Sequence, residues 1–130
     1  MNAKAPLSEY LVISRGHWDA SASKEDIQRA IDEFYVWHEQ LVAEGKMRRG
    51  SRLMKEGKLV SRRGAVDGPY SEAKEVVGGY WFVSAHSLEE AAQLLAQNPC
   101  LAYGLANEVR QLDPEQCDAF AITAETPAAG

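Results

Sequence analysis

The sequence has 130 residues but only two cysteines, Cys100 and Cys117, and three histidines, His17, His38 and His86. Two thiols make neither a disulfide framework nor a zinc site, and histidines this scattered make no metal set. Free thiols in a reducing cytoplasm are the expectation. No apolar run approaches the ~20 residues a membrane-spanning helix requires. Met1 to Pro6 lacks the apolar centre of an export signal. Gly-x-Gly-x-x-Gly, Walker A and Gly-x-Ser-x-Gly patterns are missing, so dinucleotide, P-loop and serine-hydrolase assignments have no motif support. His38 to Val42 starts like a zinc-protease helix, but Val42 stands where the second histidine is needed. No metal, cofactor, membrane or direct nucleic-acid partner is expected.

What is present suits one soluble domain. Hydrophobic residues make up 45% and charged residues 25%, an ordinary balance for a chain that buries roughly two-thirds of its unfolded surface. The domain reads over residues 1–113, followed by an Ala/Thr-rich tail over 114–130 with one apolar patch, Phe120 to Ile122. Charge is unevenly spread. Between Lys46 and Arg63, eight basic residues oppose only Glu56, which makes this segment +7 and leaves −12 for the rest of a chain of net charge −5. Two readings stand: a solvated hairpin, or a basic rim that attracts a small anion or an acidic partner.

Glu9 to Ser14 is short, apolar and β-branched, and predicts a strand. Ser23, with Asp26 three residues on, predicts a helix start. Ile27, Ile31, Phe34, His38 and Leu41 then recur on one helical face as far as Gly45. Met47 to Met54 alternates as a strand, Glu56-Gly57 marks a turn, and Lys58 to Arg62 predicts a short return strand. Asp67-Gly68-Pro69-Tyr70 reads as a stiff turn before a long strand, Val76 to Ala85. Ser87 and Glu90 form a capping box ahead of a stripe of Leu88, Ala91, Ala92 and Leu95. Asn98-Pro99 ends that helix, and Ala106 to Leu112 predicts the last strand. Strand, helix, strand, strand, helix, strand is the order of the ferredoxin-like split βαβ unit, an α+β fold with helices on one face of an antiparallel sheet.

The long strand is apolar on both sides. Val76, Gly78, Tyr80 and Phe82 face one way, and Val77, Gly79, Trp81 and Val83 the other. Two helices cover one set only. The set containing Trp81 is therefore expected to be closed by a second copy, sheet to sheet, or else by the C-terminal tail. Gly78-Gly79 predicts a bulge or a close backbone approach.

With these elements in place, the sequence resembles the YCII-related family, in its DGPF-type branch. Asp67-Gly68-Pro69-Tyr70 matches with Tyr for the usual Phe, followed by Glu72, Lys74-Glu75 and Gly78-Gly79-Tyr80. Ser87 to Ala91 and Asn107 to Arg110 agree as well. The resemblance implies a ferredoxin-like fold assembled as a dimeric α+β barrel. It also implies an acid/base His–Asp pair in shorter relatives. Their histidine corresponds to Phe34 here, with His38 one turn later.

Two functions are open. One is a small-molecule protein with a pocket between helix, sheet and partner and, as an enzyme, a cofactor-independent isomerase or lyase acting on a small organic acid. In that reading Asp67 is the base and His38 the proton shuttle. Glu108 and Arg110, two apart on one strand face, position the substrate together with Arg49, while Tyr70 and Tyr80 wall it. The plainer alternatives are a turn-bound Asp67, a core His38, and a surface Glu108–Arg110 pair. The other function is a noncatalytic dimeric binding module that meets a protein partner through its basic hairpin.

Overall fold

Ser23 and Ser87 open the two helices by the same device. Each side-chain oxygen accepts from the backbone N–H three residues on, that of Asp26 and of Glu90. This satisfies a donor that the first turn leaves unpaired and stabilises each helix by about 1 kcal/mol. The computed structural model describes residues 6–68, 76–115, 119–125 and 127. In chain order the elements are β1 (Ser8–Arg15), α1 (Lys24–Ala43), β2 (Met47–Arg52), β3 (Gly57–Ser61), β4 (Gly64–Gly68), β5 (Val77–Ala85), α2 (Leu88–Leu95), a 3-10 helix (Pro99–Tyr103) and β6 (Ala106–Gln111).

β1, β2, β5 and β6 form one antiparallel sheet in the order β2-β5-β1-β6. Both helices lie on one side of it, so the fold is the expected ferredoxin-like α+β arrangement. The core holds Tyr10 and Val12 from β1, Met47 from β2, and Trp81, Val83 and Ala85 from β5. Leu41, Ala91 and Leu95 reach it from the helices. Val12 and Val83 are its most enclosed large side chains. Full burial of each large apolar side chain stabilises the fold by about 1.5–3 kcal/mol.

Five expectations are corrected. The helices cover the Trp81 and Val83 set, leaving Tyr80 and Phe82 on the open side, the reverse of the predicted assignment. Register decides this, since Trp81 pairs with Val12 and Val83 with Tyr10, the two β1 residues under the helices. The strand after Glu56 pairs with β4 rather than returning along β2, making a separate two-stranded sheet. Its turn is Arg62-Arg63, where Gly64 supplies a φ of 110°. Asp67 and Gly68 are accordingly strand residues, opposite Lys58 and Gly57. In α2, Ala91 and Leu95 are buried while Leu88 is 48% exposed and Ala92 faces outward. Phe120 and Ile122 of the tail stand fully exposed and shield no part of the sheet.

Candidate functional site

The uncovered sheet face carries two rows of side chains across all four strands. Pairing aligns Arg48, Phe82, Leu11 and Arg110 in one row, and Ser51, Tyr80, Ile13 and Glu108 in the next. Residues paired across antiparallel strands point to the same side. The middle of the patch is therefore apolar (Phe82, Leu11, Tyr80, Ile13), half-buried by its neighbours, and its ends are charged or polar. The Tyr80 and Phe82 rings meet edge to face at 6.0 Å.

Of the charged ends, Arg48 and Glu108 are fixed by contacts. The Arg48 guanidinium lies 3.9 Å from the Phe82 ring centroid, and its Nη2 donates to Glu9 Oε1 at 3.2 Å. At the other end Arg15 Nε donates to Glu108 Oε1 at 2.7 Å. Arg110 is exposed and has no ion pair among the described residues. Where β2 meets β5 the register shifts between Arg48 and Ser51. Gly50 sits in that irregularity. A Cβ on it would stand 2.0 Å from the Tyr80 carbonyl oxygen and 2.7 Å from a Tyr80 ring carbon. Gly79 likewise gives room to the Ser51 carbonyl, whereas Gly78 has nothing near it.

His38 lies across the sheet from this patch. It is 5% exposed, stacked on Phe34 at 5.4 Å and edge-on to Trp81 at 6.0 Å. Its Nδ1 is 3.2 Å from Met47 Sδ. Burial, and secondarily the nearby Arg49 charge, lowers its pKa below the usual imidazole value, with Glu39 opposing the shift. The ring is neutral at neutral pH. Arg49 leans to this helix side, 3.9 Å from Glu39. The indole N–H groups of Trp37 and Trp81 are buried there without a conventional acceptor among the described residues, beside the Phe34 ring. Ring faces offer such donors a weak acceptor.

Of the sequence-selected residues, Tyr80, Glu108 and Arg110 thus share one face. His38 and Arg49 share the opposite side. Asp67 is exposed on the β3–β4 hairpin and pairs with Lys58. Tyr70 lies outside the described residues. Sequence reasoning missed Leu11, Ile13, Arg15 and Arg48. The parity of Leu11, Ile13 and Arg15 in the first strand is the signal that points to three of them. No group of three or more potential metal ligands occurs among the described residues.

An open-faced antiparallel sheet backed by two helices, with a charged rim around an apolar patch, defines a ferredoxin-like α+β protein. The family model of the YCII-related domain matches residues 9–113, and the chain belongs to that family. No curated protein matches the sequence. Among solved structures, the chain is similar to 5-chloro-2-hydroxyhydroquinone dehydrochlorinase from Burkholderia phenoliruptrix AC1100, in complex with 2,5-dihydroxybenzoquinone. Identity is 16% over 81% of this chain and 93% of that one, with a TM-score of 0.44. It is also similar to hydroxynitrile lyase from Passiflora edulis, 8% identical over 86% of this chain and 98% of that one, at a TM-score of 0.36.

Proposed function

We propose that this protein binds a small organic acid on the open sheet face, in a cleft closed by the same face of a second copy, and that its chemistry there is a proton transfer of the isomerase or lyase type. The observation that carries this reading is the pair of rows with an apolar middle and charged ends. Side chains such as Phe82, Leu11 and Ile13 gain from removal of water, and a second copy offers a self-complementary cover. Between two such faces Arg110 supplies a planar fork suited to a carboxylate. Glu108, oriented by Arg15, supplies a carboxylate two residues away on the same strand, and Tyr80 supplies a ring wall. Glu108 takes a proton from the carbon next to a carbonyl. The same proton then returns to a neighbouring atom, or a leaving group departs, with no change of oxidation state. His38 and Asp67 act from outside this cleft, His38 as a packing group under Trp81 and Asp67 as the partner of Lys58.

Asp67-Gly68-Pro69-Tyr70 and Gly78-Gly79-Tyr80 support membership of the DGPF-type branch. A reducing cytoplasm suits the buried thiol of Cys100. Among the described residues no helix is long and apolar enough to cross a membrane.

A panel of small cyclic and keto acids tests the reading by thermal shift and by solvent deuterium entering the bound acid. At least one acid should raise the melting temperature of the wild type. Arg110→Gln should remove that shift, and Glu108→Gln should keep it while stopping deuterium uptake. A shift unchanged by Arg110→Gln, or no shift with any acid, would refute the assignment.

A further inference from the structure

Two exposed surfaces play no part in the cleft. The first is the β3–β4 hairpin, which belongs to a segment in which every residue from Arg48 to Asp67 is exposed. Leu59 faces across to Val66, and Val60 to Ala65, so each side of this arm carries an apolar pair. Val60 is 74% exposed and Val66 57%. At the tip stand Arg62 and Arg63, neither with an acidic partner among the described residues. An isolated two-stranded hairpin is at best marginally stable, so an arm of this composition gains most from a surface to lie on.

The second surface is the outer side of α1. Val36 is 71% exposed there and, with Trp37, Asp32, Glu33 and Gln40, lines an open depression of about 400 Å³. Asp32 accepts from Gln28 Nε2 at 2.9 Å, but neither Asp32 nor Glu33 meets a cation among the described residues. The depression has the character opposite to the arm tip: apolar Val36 and Trp37 beside two adjacent carboxylates, against apolar sides with two adjacent guanidinium groups at the end.

We propose that the β3–β4 arm of one copy docks in the α1 depression of another, with Val60 or Leu59 against Val36 and Trp37 and with Arg62 and Arg63 against Asp32 and Glu33. The chain's own arm is not the occupant, because arm and depression are both exposed within the single chain. The charge split favours a second copy. The arm itself, residues 57–68, carries Lys58, Arg62 and Arg63 against Asp67, a net +2, and the remainder of the chain is −7, so arm meets body attractively while arm meets arm repulsively. The acidic partner of the basic hairpin is then the chain itself. In a two-fold pair the contact is made twice, each copy giving an arm and receiving one.

The test uses the full chain with Cys117→Ser, leaving Cys100 in place since it is buried. One preparation adds Ser61→Cys and another Gln40→Cys. They are mixed and treated with a short bis-maleimide. A two-chain product joining positions 61 and 40 is expected. Its yield should fall several-fold in Arg62→Glu/Arg63→Glu or in Asp32→Lys/Glu33→Lys, and recover when the reversed arm meets the reversed helix; high salt should lower the wild-type yield. Recovery also shows that the reversed chains fold. No product, or a product indifferent to both reversals, overturns the proposal. So does a one-chain product when both cysteines are placed on a single chain. A link from Phe120→Cys to position 40 would put the tail in the depression and overturn it too. Positions 61 and 40 report nothing of the sheet face, so failure here leaves the ligand-cleft reading standing.

Discussion

Gly50 is glycine because the Tyr80 backbone occupies the space a side chain would need. Gly50→Ala must therefore push β2 away from β5, at a cost of about 1–3 kcal/mol typical of overpacking. A lowered urea midpoint with an unchanged m-value would show it, and an unchanged midpoint would mean that the two strands separate freely there. His38 makes a prediction in pH. Its folded pKa lies below the ordinary 6.5, so as pH falls through that value the unfolded chain takes up a proton that the folded chain refuses. The stability His38 contributes is complete above 6.5 and declines below it, down to the folded pKa. His38→Gln should flatten that part of the stability–pH curve, measured as the difference in urea midpoint between wild type and variant. Cys100 shows the converse shift. Burial, with a lesser push from Glu33, raises its thiol to about 11. In the Cys117→Ser chain, Cys100 should resist iodoacetamide until denaturant is added.

At the scale of elements, the sequence was readable where a local rule and the fold agree. Ser23 with Asp26 and Ser87 with Glu90 announce helix starts because capping is decided within one turn. The excursion from β2 was not readable in the same way. "GKLVS" and "GAVDG" are short, and nothing in their alternation says which strand each pairs with. The Gly64 turn that joins them competes with the more conspicuous Gly-Pro after Asp67. The face of β5 was equally undecidable from composition: Tyr80 and Phe82 are as apolar as Trp81 and Val83. Only pairing with β1 resolves the choice. The candidate cleft inherits that ambiguity, which is why Glu108 and Arg110 were found while Leu11 and Ile13 were not. The hairpin also carries a prediction. In dilute solution its amides, residues 57–68, should exchange with deuterium far faster than those of Val12, Trp81 and Val83, whose strands lie inside the sheet. Equal protection that persists on dilution to single chains would show that the arm is packed within its own chain.

For the whole molecule, the asymmetry between the two sides of one sheet is the controlling feature. One side is closed by α1 and α2, and the other shows Phe82 and Tyr80. Adjacent residues on β5 should therefore respond to the same substitution in different ways. Val83→Asp places a charge in the core and should unfold the chain. Phe82→Asp should leave a single chain folded and prevent sheet-to-sheet pairing, read as sedimentation at half the wild-type mass with little change in circular dichroism. Wild type sedimenting as single chains at micromolar protein would remove the second wall from the proposed cleft.

The place of β1 in the sheet has a further effect on how the chain is made. β1 is an interior strand bonded to both β5 and β6, and Arg15 and Glu108 meet across 93 positions. During synthesis β1 emerges well before β6 and must hold an unsatisfied ladder until the chain has grown as far as Gln111. Such distant pairing is slow to form. Until then, the gap beside β1 is open to the β6 of a neighbouring chain, so crowded translation is the condition under which strand exchange between molecules would begin.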